Sequence, residues 1–364
     1  MSSYAIYRLP HAKEATLIQQ TEGEPAEYLS YLELNGKRGF VVAPFEVTPQ
    51  QPILVIQGES ETVLLDERGK RKDEGEYSCL GEKTHMELSL SRNISPSSFL
   101  DPPSSYYSVD FANYHSQLEA DTFRKIVLAR CAHEQMGEHV EPMELFYRAC
   151  ALYPRLFIAL VETEKSGCWL TATPEILLEG EGMDWRTIAL AGTMKLEGDQ
   201  LNGEGETLKW STKNIQEQRI VATYITECLE QFTGDFREEG PRTVRAANLV
   251  HLRSDFTFKL EDYEHIGDLL QALHPTPAVC GLPKREAFRF IVNNEHTPRR
   301  YYSGFMGPLA MDGTHLYVSL RCMNIEGDTC HLYAGGGLLK DSTEEQEWAE
   351  TEAKMETMRR LLYV

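Results

Sequence analysis

The chain has 364 residues, of which 41% are hydrophobic and 10% aromatic, and its 36 basic and 56 acidic residues give a net charge of −20. A chain of this length and composition can bury a sizeable core in one large domain or two modest ones. So acidic a surface repels nucleic acid and anionic membranes, and an anionic substrate would need a local positive site or a bound cation.

The eight cysteines include no Cys-x-x-Cys pair, and several fall in apolar runs that are typical of strands. This usage indicates buried free thiols in a reducing cytoplasm rather than disulfides or a zinc site. The N-terminus lacks a signal-peptide pattern, and no window approaches the roughly 18 apolar residues of a membrane span. We therefore expect a cytoplasmic protein without a membrane or nucleic-acid partner.

The N-terminal part, residues 1–94, contains short apolar runs that end at Pro or Gly, such as Gly39–Phe45, and these predict successive strands and turns. The most linker-like stretch, residues 95–105, is rich in Ser and Pro and is interpreted as a surface connection within one domain. A predicted helix over Tyr106–Ala120 then leads into an alternating run, Phe123–Arg130.

Lys125 lies in an otherwise apolar row of this run. The period of two places it on one strand face with Phe123, Val127 and Ala129. An ammonium held there loses hydration, which favours the neutral amine and would allow it to act as a base. The alternative is an edge-strand lysine that discourages aggregation between strands.

Glu175 follows a proline between two predicted strands. A carboxyl group in that position could be desolvated and protonated near neutrality, as a general acid requires. The alternative is a turn carboxylate exposed to water. The sequence on either side of Glu175 predicts one helix and then four strands. In chain order they cover Glu141–Leu152, Leu156–Val161, Cys168–Thr173, Ile176–Leu178 and Thr187–Thr193.

A Gly- and Glu-rich loop, residues 197–206, precedes a long amphipathic helix with Glu217 near its start, off the buried stripe. The residues of that stripe are Ile215, Ile220, Val221, Tyr224, Ile225, Cys228, Leu229 and Phe232. Further strands are predicted over Leu249–Leu260, Leu316–Cys322 and Thr329–Ala334.

Two features of these last strands could bind an anion. Arg321 is a basic residue inside a predicted apolar strand, which normally requires an anionic partner. Gly335–Gly337 follows the final strand and could present backbone N–H groups to a carboxylate or phosphate. A flexible connection before the next helix is the ordinary interpretation of these glycines.

Ser342 and Glu345 predict a capping box at the start of the C-terminal helix. Beyond it, Glu347, Glu350 and Lys354 share one helix face, which is usually a solvated, salt-bridged surface. The functional interpretation is that the carboxylates hold a hard cation such as Mg²⁺ while the lysine binds an anion. Strand runs mixed with helices, without regular βαβ alternation, predict a largely antiparallel α+β fold.

Taken together and in order, these motifs resemble those of the chorismate-utilising enzymes, the family of isochorismate, salicylate, anthranilate and aminodeoxychorismate synthases. The resemblance covers roughly residues 106–364, and the first hundred residues match weakly. The matching stretches are Lys125–Arg130, Thr173–Glu175, Leu190–Thr193, Lys213–Gln218, His274–Gly281, Tyr302–Gly304 with Gly307, Arg321–Cys322, Ala334–Leu338 and Glu347–Lys354.

The resemblance implies one domain over residues 1–364, in which two large, mostly antiparallel sheets pack face to face with helices outside. It also implies Mg²⁺ and chorismate, a dicarboxylate, in a cleft between the halves. Lys125 would activate water for attack at ring C2, and Glu175 would protonate the departing C4 hydroxyl. The implied metal ligands are Glu217, Glu350 and, through water, Glu347. The implied substrate-binding residues are Gly192, Thr193, His274, Tyr302, Arg321, Gly335, Gly336 and Lys354.

Two positions indicate the subfamily. Water-using members are expected to carry lysine at position 125, and aminodeoxychorismate synthases carry lysine where this chain has Ala191. Both favour isochorismate synthase, of a menaquinone or siderophore pathway, without a glutamine amidotransferase subunit. The alternatives are a salicylate synthase, which would then eliminate pyruvate, and a non-catalytic chorismate-binding subunit. One departure stands: the family's Lys-Asp-Arg-His-Glu-His is here Lys213–Gln218, so the surroundings of Glu217 differ.

Overall fold

In the computed structural model, residues 3–66, 69, 71, 104–136, 140–195, 208–246, 249–260 and 263–363 are described. Most of the linker-like stretch at 95–105, the whole loop at 197–206, and Cys79 lie outside these residues. Across the described parts of the chain the secondary structure is eighteen strands, six α-helices and one short 3₁₀ helix.

The strands are, in chain order, β1 (Ser3–Arg8), β2 (Glu14–Gln20), β3 (Ala26–Tyr28), β4 (Gly39–Ala43), β5 (Ile53–Ile56), β6 (Glu59–Leu64), β7 (Lys125–Gln135), β8 (Phe157–Thr163), β9 (Gly167–Thr173), β10 (Ile176–Glu181), β11 (Asp184–Lys195), β12 (Phe236–Ala246), β13 (Leu249–Lys259), β14 (Gly281–Leu282), β15 (Phe305–Leu309), β16 (Thr314–Val318), β17 (Cys322–Glu326) and β18 (Thr329–Leu338). The α-helices are α1 (Ser104–Glu119), α2 (Pro142–Leu152), α3 (Thr212–Leu229), α4 (Ile266–Leu273), α5 (Lys284–Asn294) and α6 (Glu344–Leu362). The 3₁₀ helix is Tyr31–Leu34.

The strands form two sheets of nine strands each. The first runs in the order β14-β7-β18-β17-β9-β8-β1-β2-β6, and the second in the order β12-β13-β11-β10-β16-β15-β4-β5-β3. Every strand pairing within the described residues that joins these strands is antiparallel. The predicted α+β class with two large antiparallel sheets is therefore confirmed.

Strand β8 illustrates how the sheets are layered. Its residues are almost all buried, because Phe157, Ala159 and Val161 face the opposite sheet, while Ile158 and Leu160 face α2 and α6. A strand covered on both faces becomes a continuous apolar run, which is how this one appears in the sequence. The second sheet is covered on its outer face by α3 and α4. Helices α1 and α5 pack beside β7.

The seven described cysteines are all free, and all but the half-buried Cys131 are buried. This confirms the expectation of buried thiols for that part of the chain. Among the described residues, no helix combines the length and the apolar character needed to cross a membrane.

Several local predictions are wrong. The predicted strand over Leu316–Cys322 is interrupted, because the chain turns at Ser319–Arg321 between β16 and β17. Gly335–Gly337 is not a flexible connection, since β18 continues through it and pairs with β7. A glycine run lowers strand propensity, but here the neighbouring strand supplies the hydrogen bonds.

The helix-start and stripe predictions also need correction. Thr343, not Ser342, is the N-cap of α6, and the Ser342 hydroxyl instead accepts a hydrogen bond from the Leu339 N–H at 3.0 Å. In α3, Ile215 is 48% exposed and so does not belong to the buried stripe. Phe232 lies beyond the helix, which ends at Leu229.

Candidate active site

Lys125 is the first residue of β7, and its side chain has no exposed surface. β7 is flanked by β14 and β18, so the edge-strand interpretation does not apply. The Nζ atom lies 2.8 Å from Oε1 of Glu217 on α3. This ion pair joins β7 of the first sheet to α3, the helix that covers the second sheet, at one side of the site.

Glu217 is held from two sides. Its second oxygen, Oε2, accepts a hydrogen bond from the Gly192 N–H at 3.2 Å. Burial alone would raise the pKa of this carboxyl, but the neighbouring Lys125 ammonium outweighs it, and the net pKa is lowered. Glu217 is thus a carboxylate at neutral pH.

Gln218 explains how the altered Lys213–Gln218 segment still positions Glu217. Its side-chain oxygen accepts from the Ala191 N–H at 2.9 Å, and its nitrogen donates to the Ala189 carbonyl at 3.1 Å. These bonds tie α3 to β11 where the register of β11 shifts between Ala191 and Thr193. The sequence alone did not reveal this buried amide, because a Gln in an acid-rich helix carries no distinctive pattern.

Glu175 lies between β9 and β10 and is 3% exposed. Burial raises its pKa to about 7, although the positive charges of Lys125, Arg321 and Lys354 oppose the rise. This matches the requirement for a general acid at neutral pH, because a substantial fraction of the carboxyl is then protonated. The exposed-turn interpretation is excluded by the burial.

Arg321 is placed in the cavity by an unusual backbone conformation, with φ of +43° in the turn between β16 and β17. One guanidinium nitrogen, Nη2, faces Nε2 of His251 at 2.5 Å. The other two, Nε and Nη1, are buried without a hydrogen-bond partner. A buried cation with two free donors is a ready receptor for a carboxylate.

His251 is a site residue that the sequence analysis missed. Its Nδ1 lies 3.1 Å from the Gly192 carbonyl oxygen, so it bridges β11 and Arg321. Burial, followed by the charge of Arg321, lowers the pKa of His251 well below its usual range. The neutral ring can accept from Arg321. The only available signal was a histidine in an apolar strand, which more often marks a core residue.

The C-terminal helix supplies two carboxylates and a lysine, as predicted. Lys354 Nζ lies 2.7 Å from Glu350 Oε1 and donates to the Gly335 carbonyl at 2.8 Å. Glu347 is paired with Lys213, and its second oxygen, Oε2, is buried without a hydrogen-bond partner. Burial and then repulsion from Glu350 raise the pKa of Glu347. This face of α6 therefore adjoins the cavity, which Lys354 lines, and is not a fully solvated surface.

The glycine run of β18 makes room for these groups. A Cβ at Gly335 would lie 2.7 Å from the Tyr302 hydroxyl oxygen, and one at Gly336 would lie 2.7 Å from Glu347 Oε2. A Cβ at Gly337 would lie 2.2 Å from Glu217 Oε1 and 2.8 Å from Lys125 Cε. A side chain would have to displace Tyr302 at Gly335, Glu347 at Gly336, and Glu217 and Lys125 at Gly337.

We expect Gly337→Ala to disrupt the Lys125–Glu217 pair. Forcing a methyl group into this packed position should lower the free energy of unfolding by about 1–3 kcal/mol and reduce turnover more than tenfold. The matched control is Gly234→Ala, where a Cβ would meet nothing within 4 Å. Thermal unfolding and steady-state kinetics of both variants test this. Equal behaviour of the two would show that the glycine is dispensable.

The carboxylates of Glu217, Glu347 and Glu350 provide the hard oxygen ligands that suit Mg²⁺. The unpaired oxygen of Glu347 and the glycine cradle beneath Glu217 and Glu347 fit a cation at this place. Their ligand atoms do not all lie within 4.8 Å of one another. This loose grouping suits an ion that keeps several waters and substrate oxygens in its coordination shell.

His274 is the predicted site residue that the structure places elsewhere. Its ring packs edge-on against Tyr31 and Phe305, at centroid distances of 5.6 and 5.1 Å, and it does not line the cavity. Both ring nitrogens are buried without hydrogen-bond partners, and burial lowers its pKa to about 3. The interpretation of His274 as a ring-lining residue is therefore not supported, since it is a neutral core histidine.

The remaining predicted residues converge on one cavity between the two sheets. Lys125, Gly336, Glu347 and Glu350 flank it by the contacts above. Its lining residues are Val127, Pro174, Glu175, Leu190, Ala191, Gly192, Thr193, Glu217, His251, Ala278, Tyr302, Leu320, Arg321, Tyr333, Ala334, Gly335, Gly337 and Lys354. The cavity combines a buried acid, a buried lysine and a cationic end, which suits acid–base chemistry on a small anion.

This chain is similar in sequence to a known enzyme family and to individual members of known function. A family model described as chorismate binding enzyme matches residues 66–363. Isochorismate synthase MenF of Escherichia coli K12 is 31% identical over 240 residues, which are 65% of this chain and 56% of that protein. The salicylate biosynthesis isochorismate synthase of Pseudomonas aeruginosa is 33% identical over 253 residues, which are 68% of this chain and 52% of that protein. The chain thus spans little more than half the length of these relatives.

Solved structures show the same fold. MenF, the menaquinone-specific isochorismate synthase from Escherichia coli, aligns with a TM-score of 0.76 at 22% identity, covering 99% of this chain and 88% of that chain. Anthranilate synthase component I from Streptococcus pneumoniae aligns with a TM-score of 0.68 at 17% identity, covering 98% of this chain and 92% of that chain. The two-sheet architecture is therefore shared by an isochorismate synthase and an anthranilate synthase component.

Proposed function

The chain belongs to the family of chorismate-binding enzymes, and on that premise we propose that it is an isochorismate synthase. The observation that carries the proposal is the buried Lys125, which pairs with Glu217 beside the cavity that Glu175 lines. A water-using enzyme needs a base for the attacking water and an acid for the departing hydroxyl. Lys125 would be the base and Glu175 the acid. Relatives named as isochorismate synthases support the assignment.

The substrate is held by its negative charges. Arg321 offers two buried, unpaired donors to one carboxylate of chorismate, and Lys354 adds a second positive charge. Tyr302 and the backbone of Gly335 complete this end of the cavity. A bound carboxylate would accept hydrogen bonds from the two guanidinium nitrogens that lack partners. This would remove the free-energy cost of leaving these buried donors unpaired, which favours substrate binding.

The reaction then transposes a hydroxyl group. Lys125, an ammonium in its resting pair with Glu217, first loses its proton to solvent. The neutral amine then accepts a proton from water as the water oxygen bonds to ring C2, and the ammonium formed again is stabilised by Glu217 at 2.8 Å. The ring double bonds shift, the C4–O bond breaks, and Glu175 donates its proton so that the oxygen leaves as water. Electrons and atoms balance without an oxidant or reductant. The proton accepted by Lys125 must return to solvent, and Glu175 must be reprotonated, before the next turnover.

We also propose that Glu217, Glu347 and Glu350 bind Mg²⁺. When bound, the ion would neutralise a substrate carboxylate and fix its position in the cavity. Each of these carboxylates is paired with a lysine, which would stay close to it and balance part of its negative charge. The lysines are Lys125, Lys213 and Lys354. An acidic protein can thereby receive a dianion.

Glu350→Gln is expected to shift half-activation by Mg²⁺ to concentrations about 10–100-fold higher, because one negatively charged oxygen donor is lost. The control is Glu345→Gln, an exposed residue at the start of the same helix, whose titration should match the wild type. The measurement is initial rate against Mg²⁺ concentration at saturating chorismate. An unchanged midpoint in Glu350→Gln would remove this residue from the metal site.

Product identification tests the function itself. Purified protein is incubated with chorismate and Mg²⁺, and the products are identified by NMR. A mixture of chorismate and isochorismate without pyruvate supports the proposal. Salicylate with pyruvate would instead make the protein a salicylate synthase, and binding of chorismate without conversion would identify a non-catalytic subunit.

A further inference from the structure

A second group of ligand-type side chains lies on the same pair of strands as the catalytic lysine and the glycine run. Ligand atoms of Cys131, His133 and His331 all lie within 4.8 Å of one another. No other group of three or more His, Cys, Asp or Glu residues in the described part of the chain meets this distance. All three side chains are half-buried, so an ion can reach them.

The strand register explains why these residues meet. His133 on β7 is directly opposite His331 on β18, and their rings are 4.3 Å apart between centroids. Cys131 is two residues before His133, and alternation therefore places it on the same sheet face. Because the hydrogen-bond ladder fixes both strands, the three ligand atoms are preorganised. The sequence could not predict this, since His331 is far from the other two in the chain.

The chemistry of the group differs from that of the carboxylate site. A thiolate with two imidazoles suits Zn²⁺ and similar thiophilic ions, whereas Mg²⁺ takes oxygen ligands.

A carboxylate stands beside the group. Oε2 of Glu326 lies 3.5 Å from Nε2 of His331, and Arg300 holds the other carboxylate oxygen at 3.0 Å. A carboxylate next to a metal-binding histidine orients the ring and raises its basicity. Glu326 is thus placed where a metal site of this kind is usually supported.

We propose that Cys131, His133 and His331 bind a thiophilic divalent cation of the Zn²⁺ type, at a site distinct from the substrate cavity. Val127, which lines the cavity, precedes Cys131 by four residues on the same strand face, about 13 Å along the strand. Tyr333, another lining residue, is opposite Cys131. An ion here would clamp β7 to β18, the two strands that carry Lys125 and the glycine run.

Cobalt substitution tests the site. Purified protein is titrated with Co²⁺ in excess Mg²⁺, which occupies oxygen sites, and the thiolate-to-cobalt charge-transfer absorption is recorded. We expect one equivalent to give this band and Zn²⁺ to abolish it by displacement. Cys131→Ser should lose the band, and His133→Ala or His331→Ala should weaken Co²⁺ binding at least about tenfold. His265→Ala, an exposed histidine elsewhere, should change nothing.

A measurement on the unmodified protein avoids any question of variant folding. Cys131 is the described cysteine that is not buried, so it should react with a thiol-alkylating reagent and be protected by Zn²⁺, as read by peptide mass mapping. Absence of a thiolate band in the wild type, the same band in Cys131→Ser, or equal alkylation of Cys131 with and without Zn²⁺ would each overturn the proposal.

Discussion

Lys125→Met is expected to lower turnover of chorismate by about a hundredfold to ten-thousandfold, the usual contribution of a positioned base. Substrate binding should change far less, because Arg321 and Lys354, the cationic residues that line the cavity, remain available for an anionic ligand. The measurement is kcat and KM with chorismate as substrate. Lys340→Met, which removes a half-exposed lysine paired at the surface with Asp121, is the control and should behave as the wild type.

The same substitution should also destabilise the fold. It leaves the Glu217 carboxylate, whose side chain is 12% exposed, without the ammonium at 2.8 Å, and breaking a buried pair from one side typically costs about 3–5 kcal/mol. The double variant Lys125→Met/Glu217→Gln removes the unpaired charge and should recover most of the stability but none of the activity. Turnover of Lys125→Met within a few-fold of wild type would reject Lys125 as the base.

Glu175→Gln is expected to have the second large effect, a loss of about a hundredfold to ten-thousandfold in turnover, because the amide cannot donate the proton that the leaving hydroxyl needs. In the wild type, the rate should fall as the pH rises through about 7, since Glu175 loses its proton there. That limb should be absent from the residual activity of the variant. A pH–rate profile for each protein is the measurement.

Glu175→Gln, although it lowers turnover, should raise the stability of the protein at neutral and higher pH. Folding raises the pKa of Glu175 from 4.5 to about 7, so the folded state binds the proton more tightly than the unfolded chain does. The free energy of unfolding is therefore highest, for this group, below pH 4.5 and decreases as the pH rises towards 7. Glu175→Gln should stabilise the protein above pH 7 by about 3 kcal/mol, and by nothing below pH 4.5. If Glu175→Gln were less stable than the wild type at pH 8, the Glu175 carboxylate would not be a buried charge that destabilises the fold.

The net charge of −20 and an anionic substrate are compatible because charge is distributed unevenly. Arg321 and Lys354 reach the cavity, whose surroundings exclude much of the screening water. Burial lowers the pKa of Arg321 to about 10, which still leaves the guanidinium charged at neutral pH. Local charge, rather than the overall balance, therefore decides which ligand this cavity attracts.

Much of the fold and of the site could be predicted because it rests on short-range patterns. The spacing of Glu347, Glu350 and Lys354 on one helix face and the burial of Lys125 on an alternating strand follow from periods of 3.6 and 2. The position of Glu175 between two apolar strands is equally local. These residues lie where the sequence placed them, and their chemical roles remain predictions.

The rest depends on contacts and backbone conformations that no local pattern encodes. Arg321 reaches the cavity only because its backbone adopts a positive φ, which a strand prediction cannot anticipate. His251 and Gln218 acquire their roles from partners on other elements. His274 was expected at the ring from the family pattern, yet tertiary packing against aromatic rings places it in the core.

The proposed roles of Lys125 and Glu175 are tested most directly by running the reaction in water enriched in the heavy oxygen isotope and locating the label by NMR and mass spectrometry. We predict isochorismate carrying one heavy oxygen at C2, because the attacking water activated by Lys125 would supply that hydroxyl. Isochorismate whose C2 hydroxyl carries no label would mean that the original hydroxyl migrates within the molecule, and would contradict the assigned roles of Lys125 and Glu175.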